Sequence, residues 1–421
     1  MMIPKLQAAM KKLLSALLLA VTGSAQAGIV FTPHVSEYGI LPAGMYAEYT
    51  LIGTEIEAIY DKNGDKVRLG APFVPVGDST DAVLGLFKAL WIGNVFRDSD
   101  IPYLKNHSQF CRAIGTVGYQ QNTGAIANRV RLFNQRPGSN GFGDLFGLCG
   151  IYGSEHRLGP IKANGLFATT VKFPIGRYDT RAALNTGTNY WSVIPQLAFH
   201  AEVYGRFYID GTVAYQANGN NDKPSFGGLT PTRIADLYNA EINVAYKFSE
   251  HWFADVGYSF RETLGPNKYD KVTVNFEDQP LSPQSACDNT NNGITRTGNM
   301  LGVALGPVVS QQLCDNPGTD QFYLNPRAGP YQDNGVMGTL LTAGVSYVYR
   351  ASTVVQARVA KPIAGRGSQI DVVFDVCATQ ACGPANATSQ VTSRLFGVQE
   401  AAAVSASPYF ELRLVHLFWA P

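Results

Sequence analysis

The chain has 421 residues and a formal net charge of +1 at pH 7, from 33 lysines and arginines against 32 aspartates and glutamates. This near-neutral balance gives no sign of a nucleic-acid partner, which would require a basic surface. Only 15% of the residues are charged, while the chain holds 43 glycines, 21 tyrosines and 22 phenylalanines. Such a composition is untypical of helical soluble enzymes.

The N-terminus has the pattern of a secretory signal peptide. Lys11 and Lys12 precede the apolar run from Leu13 to Val21, and the small-residue triplet Ala25-Gln26-Ala27 follows. The apolar run is shorter than the ~20 residues that a membrane-spanning helix needs, and an A-x-A triplet is a typical cleavage site. We therefore predict that residues 1–27 form a signal peptide that is removed during export.

Polar and apolar residues alternate along several later segments. From Trp191 to Val203 the odd-numbered positions are mostly apolar and the even-numbered ones mostly polar, and a similar alternation runs from Phe207 to Gln216. A period of two predicts β-strands with one apolar and one wet face. The short connection at Tyr204 and Gly205 predicts a hairpin, because glycine accepts the positive φ of tight turns.

The alternation recurs in the C-terminal half of the chain. It runs from Tyr238 to Phe248 and, after a short turn, from Trp252 to Arg261. These strands are about 11 residues long and carry aromatic residues at their ends, which suits a tilted strand that crosses a bilayer. Further alternating segments run from Thr339 to Tyr349, from Val355 to Val359 and from Phe410 to Phe418.

These strands predict an all-β fold, namely a transmembrane antiparallel up-and-down β-barrel in the bacterial outer membrane. A soluble β-sandwich also alternates, but its strands are usually nearer about 5 or 6 residues. A closed barrel is the arrangement of strands that pairs every backbone polar group in lipid. Bacterial single-chain barrels have even strand numbers, so we expect about 12 strands, with 14 or 10 as alternatives. Additional strands are expected near residues 45–59, 84–97, 111–120, 125–134, 143–153, 163–174 and 367–376, although residues 79–92 could instead form a short helix.

A single barrel domain, residues 28–421, accounts for the mature chain. Its longest interruption, residues 263–334, is rich in Asn, Asp, Pro and Gly. Outer-membrane barrels join their strands by short periplasmic turns and long outer loops. We therefore predict that residues 263–334 form a large extracellular loop.

The cysteines and histidines predict disulfides and no metal site. An exported chain meets an oxidising periplasm, so its six cysteines are candidates for disulfide bonds. The histidines are scattered and no CxxC motif occurs, which gives no metal-ligand spacing. Loop closure and loop placement favour the pairs Cys111 with Cys149, Cys287 with Cys314, and Cys377 with Cys382.

The polar faces of the strands supply candidate lumen-lining residues. Both signs of charge occur among them, so a transverse field across the lumen would screen solutes by size and polarity. An alternative is that these residues pair with one another and fill a closed barrel. The candidates are His200, Glu202, Arg206, Asp210, Glu241, Asp255, Arg261, Arg358 and Arg413.

The function predicted from these features is a passive outer-membrane channel for small solutes, with outer-membrane lipids as its surroundings and no enzymatic activity. A barrel enzyme that hydrolyses lipids is one alternative, and it would need a nucleophile, a base and an orienting group. His200 and Glu202 share a strand face, but no GxSxG motif accompanies them, so no catalytic residue and no cofactor is assigned. A structural or adhesive barrel is the other alternative, and it would depend on the loop at 263–334.

Several short stretches resemble the outer-membrane family named for the meta-pathway of phenol degradation. They are Phe173-Pro174-Ile175-Gly176-Arg177-Tyr178, Asn185-Thr186-Gly187-Thr188-Asn189-Tyr190-Trp191, Gly141-Phe142-Gly143-Asp144-Leu145 and Leu41-Pro42-Ala43-Gly44. The resemblance implies a barrel linked to uptake of aromatic or other hydrophobic compounds, without established catalytic residues. The aromatic terminal strand also resembles the signal for the barrel-assembly machinery. The oligomeric state is left open.

Overall fold

The computed structural model describes residues 38–60, 63–68, 79–96, 100–122, 138–182, 185–224, 231–270, 294–295, 299–300, 303–304, 323–327, 329–349, 353–367, 369–377, 384–385, 387, 389–396 and 405–419. The predicted signal peptide, residues 1–27, and the predicted strand at 125–134 lie outside these residues. Within this described part of the chain, no helix is long and apolar enough to cross a membrane.

Among the described residues, twelve antiparallel strands close into a barrel, so the prediction of 12 strands rather than 14 or 10 is confirmed. Each strand pairs with its neighbours along the chain, and β12 pairs with β1 from Met45 to Thr54 to close the ring. In chain order the strands are β1 (Gly44–Ile56), β2 (Thr80–Gly93), β3 (Gln109–Asn122), β4 (Leu145–Tyr152), β5 (Ile161–Phe173), β6 (Ser192–Val203), β7 (Phe207–Asn218), β8 (Leu237–Lys247), β9 (Trp252–Thr263), β10 (Met337–Tyr349), β11 (Thr353–Arg366) and β12 (Tyr409–Trp419).

The two ends of the barrel differ in the length of their connections. At one end, called here the short-turn end, tight turns at 204–206 and 248–251 join β6 to β7 and β8 to β9. At the opposite, long-loop end the connections cover residues 174–191, 264–336 and 367–408. Outer-membrane barrels place short turns in the periplasm and long loops outside the cell.

That β12 is recognised by the assembly machinery stays a prediction.

The strand faces explain the alternation in the sequence. Leu197 on β6 and Val256 on β9 point outward and are 59% and 55% exposed, whereas Asn243 on β8 and Ser259 on β9 point inward and are fully buried. The apolar face of each strand is therefore the lipid-facing one. This is the reverse of a soluble sheet, whose apolar face is hidden.

Aromatic side chains on the outer face gather near both ends of the strands. Trp252 and Tyr347 pack with their ring centroids 4.8 Å apart at the short-turn end. Phe173 and Trp191 pack at 5.0 Å at the long-loop end. Aromatic rings prefer the headgroup level of a bilayer, so the two groups mark the edges of the membrane-spanning band.

The lumen is layered along the barrel axis. On β1, the inward side chains change from apolar at Tyr46 to polar at Glu48 and Thr50 and back to apolar at Ile52. Charged residues therefore lie between two apolar clusters. The short-turn cluster consists of Leu90, Ile92, Phe110, Leu148, Tyr152, Leu166, Ala168 and Ala198. The long-loop cluster consists of Ile52, Leu84, Leu86, Leu340, Ala360 and Tyr409.

Other elements differ in part from the sequence expectations. Residues 79–92 contain most of strand β2 and do not form the alternative helix. The strand expected at 367–376 is present as Gln369–Cys377, but it pairs with Tyr323–Pro326 and Ser389–Phe396 outside the barrel wall. The remaining elements are α1 (Pro102–Asn106) and the short strands Ala58–Tyr60, Lys66–Arg68, Gly138–Phe142, His156–Leu158, Lys268–Tyr269, Ile294–Thr295, Asn299–Met300, Val303–Ala304 and Tyr331–Gln332.

The disulfide between Cys111 and Cys149 is present and confirms one of the predicted pairs. These residues face each other in the register of β3 and β4. The side chains of Cys287, Cys314, Cys377 and Cys382 lie outside the described residues, so those two pairs stay predictions.

Candidate functional site

The charged residues of the lumen form the candidate site, and most of the predicted ones occupy strand positions that point inward. Asp210, Asp255, Arg358 and Arg413 are all buried. The half-buried members are His200, Glu202, Glu241 and Arg261.

Arg206 differs from the other predicted lumen-lining residues, because it lies in a turn and not on a strand. The turn between β6 and β7 covers Tyr204 to Arg206, with positive φ at both Tyr204 (54°) and Gly205 (65°). Val203 pairs directly with Phe207, so Arg206 leaves the strand and is exposed. The alternation pattern extended one residue too far, because it cannot show where the backbone turns.

Asp255 and Arg358 form a sealed ion pair in the lumen wall. Arg358 Nη2 lies 2.7 Å from Asp255 Oδ2, and neither side chain is exposed. Gln356 Nε2 donates to Asp255 Oδ1 at 3.0 Å, and Arg358 Nη2 donates to Asn243 Oδ1 at 3.1 Å. The pair reaches across β10 at Gly344, where a Cβ atom would collide with the Arg358 side chain. The network therefore ties β8, β9 and β11 together.

Glu48, Lys88 and Arg413 form a second ionic group, called here the Glu48 triad. Arg413 Nη2 lies 2.7 Å from Glu48 Oε2, and Lys88 Nζ lies 2.5 Å from Glu48 Oε1. Thr50 Oγ1 also donates to Glu48 Oε1 at 3.1 Å. The three charged side chains come from β1, β2 and β12, so the triad spans the seam where the last strand meets the first.

A cavity of about 200 Å³ adjoins the Glu48 triad. Glu48, Lys88 and Arg413 form part of its wall, and Arg112 on β3 adds another cation. Apolar side chains of the short-turn end form most of the remainder, which also includes Ser346 and Gln356. The apolar side chains include Leu41, Tyr46, Leu90, Phe253, Val348, Val354 and Val415.

The segment that precedes β1 is fixed to the inside of the barrel. The Tyr38 amide donates to Asp210 Oδ1 at 3.1 Å, and Asn164 Nδ2 donates to the Tyr38 carbonyl at 3.0 Å. His200 Nδ1 lies 2.9 Å from the same Asp210 oxygen. Tyr38 and Leu41 pack against the short-turn cluster. This segment therefore narrows the lumen at the short-turn end.

Asp144 organises the connection between β5 and β6. Its carboxylate is fully buried and accepts from the Gly176 amide at 3.1 Å, the Thr188 amide at 2.9 Å and the Thr188 hydroxyl at 2.5 Å. A Cβ at Gly176 would lie 2.5 Å from the Gly143 carbonyl carbon, so only glycine permits this approach. Lys172 Nζ donates to Thr188 Oγ1 at 2.6 Å and lies 3.3 Å from the Tyr190 ring centroid.

Asn185 and Thr186 add further hydrogen bonds to the connection between β5 and β6. Asn185 Oδ1 accepts from the Asp179 amide at 2.7 Å, and Asn185 Nδ2 donates to the Asp179 carbonyl at 3.0 Å. Thr186 Oγ1 donates to the Phe142 carbonyl at 3.1 Å. Three of the four family-like stretches, residues 141–145, 173–178 and 185–191, therefore meet in one loop region, called here the loop clamp. The fourth stretch, Leu41 to Gly44, lies before and at the start of β1.

Sequence reasoning missed Glu48, Lys88 and Arg112. On β1 and β2 the inward face carries apolar residues above and below the charges, while the outward face carries Tyr49 and Phe87. With apolar residues on both faces, the contrast between faces is weak. One feature of the sequence could have indicated these residues, namely a single charged residue in the middle of an otherwise apolar strand. A strand that crosses a bilayer tolerates such a charge only on its lumen side.

In the described part of the chain, no group of three or more His, Cys, Asp or Glu side chains could hold a metal ion. His200 contacts Asp210 rather than Glu202. Glu202 instead forms an ion pair with Lys162, with Lys162 Nζ 3.3 Å from Glu202 Oε2.

Comparison with solved structures shows the fold. The COG4313 outer membrane channel from Pseudomonas putida F1 is 12% identical, with a TM-score of 0.54 over 90% of this chain and 97% of that chain. Outer membrane phospholipase A from Escherichia coli is 8% identical, with a TM-score of 0.32 over 92% and 99%. The Ralstonia pickettii toluene transporter TbuX is 10% identical, with a TM-score of 0.32 over 95% and 97%. The last two scores are too low to support an argument.

Comparison by sequence identifies the family. No curated protein matches the chain. The sequence model of one family matches residues 65–292, which include the loop clamp. The chain belongs to the family described as "Putative MetA-pathway of phenol degradation", and it is an outer-membrane β-barrel.

Proposed function

We propose that this protein is a passive channel through which small hydrophobic, and in particular aromatic, solutes cross the outer membrane. The observation that carries the proposal is the layered lumen, in which apolar clusters lie on both sides of the charged residues and the cavity has a largely apolar wall. The family name, with its link to phenol degradation, agrees with an aromatic solute.

The lumen favours apolar over polar solutes. A general porin has a polar, water-filled interior. Here an apolar solute finds apolar contacts at the levels of Tyr46 and Ile52, on either side of Glu48. Burial of apolar surface contributes roughly 25 cal/mol per Å², so these contacts attract aromatic molecules out of water.

The positions of His200 and Glu202 argue against the alternative of a lipid hydrolase. A hydrolase acting on bilayer lipids needs its nucleophile and base on the lipid-facing side. His200 and Glu202 lie on the inward face of β6, where each has its own partner. We therefore assign the barrel no catalytic role.

Uptake by whole cells tests the proposal. Ser346 on β10 points into the cavity, and its neighbour Val345 points outward and is 46% exposed. Ser346→Phe fills the cavity, while Val345→Phe adds a ring on the lipid side of the same strand. We expect cells that produce the wild-type protein to accumulate radiolabelled phenol faster than cells without it.

The two variants make the test specific to the lumen. We expect Val345→Phe to retain the accelerated uptake and Ser346→Phe to lose most of it, with both present as heat-modifiable barrels on gels. Equal uptake with and without the wild-type protein would overturn the proposed function. Loss of uptake in both variants, or in neither, would overturn the path through the cavity.

A further inference from the structure

The charged side chains in the wall of the cavity are mostly cationic. Among its lining residues, the cations Lys88, Arg112 and Arg413 accompany a single carboxylate, that of Glu48. Glu48 already accepts from Lys88 and from Arg413. The described wall therefore has an excess of positive charge at the level of the triad.

An excess of positive charge in a partly dehydrated cavity favours an anion. Field lines concentrate in clefts with low-dielectric walls, and charged rings select ions of opposite sign in channels. A carboxylate that enters the cavity would share Lys88 and Arg413 with Glu48. Hydrogen bonds between such charged groups are roughly twice as strong as those between neutral ones.

The remainder of the wall suits an apolar body. Tyr46, Leu90, Phe253, Val348 and Val415 all contribute to it. The volume of about 200 Å³ exceeds the roughly 150 Å³ of an apolar cavity known to bind benzene. The cavity therefore has room for one aromatic ring and a small substituent, with the ring toward the short-turn end and the substituent toward the triad.

Ser346 supplies an independent sign of a polar ligand. Its side chain is 1% exposed, and its Oγ has no hydrogen-bond partner among the described residues. Ser346 also lines the cavity. A buried hydroxyl without a partner is costly, and a ligand oxygen in the cavity would satisfy it.

From these features we propose that the cavity is a binding site for a monoanionic aromatic carboxylate, held at its carboxylate by Lys88, Arg112 and Arg413. This proposal rests on the proposed channel function, because it states the charge of a solute that binds within the lumen. Ser346 donates its hydroxyl to the same carboxylate, and Tyr46 and Phe253 contact the ring.

Calorimetric titration of the purified, detergent-solubilised barrel tests the site with three ligands of similar size. Benzoate, benzyl alcohol and benzylamine carry one ring each and are anionic, neutral and cationic at pH 7. We expect benzoate to bind about tenfold more tightly than benzyl alcohol, with benzylamine weakest. Added salt should weaken benzoate binding and leave benzyl alcohol unchanged. Binding of benzyl alcohol or benzylamine at least as tight as that of benzoate would overturn the proposal.

Matched variants locate the site. Lys88→Gln should reduce the preference for benzoate over benzyl alcohol by about tenfold. Lys162→Gln is the control, because Lys162 also lies on an inward strand face but pairs with Glu202 away from the cavity. If Lys88→Gln does not fold, Arg112→Gln replaces it in the same comparison. An unchanged preference in the folded variant contradicts the site.

The outcomes also separate this proposal from the channel function. If cells take up phenol but benzoate does not bind in preference to benzyl alcohol, the anion site is wrong and the channel stands. If benzoate binds as expected but the wild-type protein does not accelerate phenol uptake, the site stands and the channel function is wrong.

Discussion

The Asp255–Arg358 pair and the Glu48 triad use the same kinds of residue within one layer of the lumen, but they differ in their surroundings. Asp255 and Arg358 have no exposed side-chain surface, and side-chain amides complete their hydrogen bonds. The Glu48 triad retains a little exposure and borders the cavity. Charge in the lumen is therefore structural where it is fully buried, and accessible to a solute where a cavity adjoins it.

The largest effect is expected at the sealed pair. Asp255→Asn removes the carboxylate that lies 2.7 Å from the buried Arg358, and removing one partner of a buried ion pair costs about 3 to 5 kcal/mol. Equilibrium unfolding in urea, with the barrel in lipid vesicles, measures the loss. Asp222→Asn, at an exposed loop residue, is the control. A loss no larger than that of the control would contradict a structural role for the pair.

A smaller loss is expected at the triad. Glu48→Gln removes the shared counter-charge of Lys88 and Arg413, but the cavity lets water reach both cations, so the free energy of unfolding should fall by about 2 kcal/mol. The same substitution makes the lumen more positive, so the reversal potential in a salt gradient should shift toward anion selectivity. Asp222→Asn, which removes a carboxylate from an exposed loop residue outside the strands, serves as the control. A shift toward cation selectivity would count against the proposed position of the triad beside the solute path.

A third buried carboxylate differs from both, because Asp144 accepts from two backbone amides and from the Thr188 hydroxyl. Asp144→Asn turns an acceptor into an NH₂ group that faces donors, which should cost about 1 to 2 kcal/mol. The loop should then become easier to cleave by trypsin at Arg177 or Arg181, both exposed. Cleavage at the wild-type rate would show that Asp144 does not hold the loop.

The smallest effect is expected on the apolar side of the cavity. Leu41 is half-buried against the short-turn cluster, so Leu41→Ala should cost only about 1 kcal/mol, below the range for fully buried leucines. It also enlarges the cavity, and single-channel conductance should rise slightly. Reduced conductance would indicate that the segment before β1 does not narrow the lumen.

The sequence predicted the barrel because lipid imposes a strict rule on strands. Outward positions such as Leu197 and Val256 must be apolar, and the resulting alternation identified β6 to β9 directly. The rule says little about the lumen, where the charged Glu48, the polar Thr50 and the apolar Ile52 succeed one another on the same face of β1. Ion pairs such as Asp255 with Arg358 join strands that are distant in sequence, so residue spacing gives no indication of them.

The loop clamp shows a different limit. The sequence stretches around Asp144 and Asn185 were conspicuous enough to indicate a family, and the family assignment was correct. Their role depends on backbone donors at Gly176 and Thr188 that only the folded loop presents. Arg206 was misplaced for a related reason, since a turn can take one residue from a strand without changing its pattern.

Single-channel recording with a neutral aromatic solute tests whether the solute path runs through the cavity beside the Glu48 triad. We expect phenol to reduce the current through wild-type and Val345→Phe barrels reversibly in planar bilayers. In Ser346→Phe the steps should be smaller and insensitive to phenol. A current that phenol affects equally in all three proteins, or in none of them, would contradict the account.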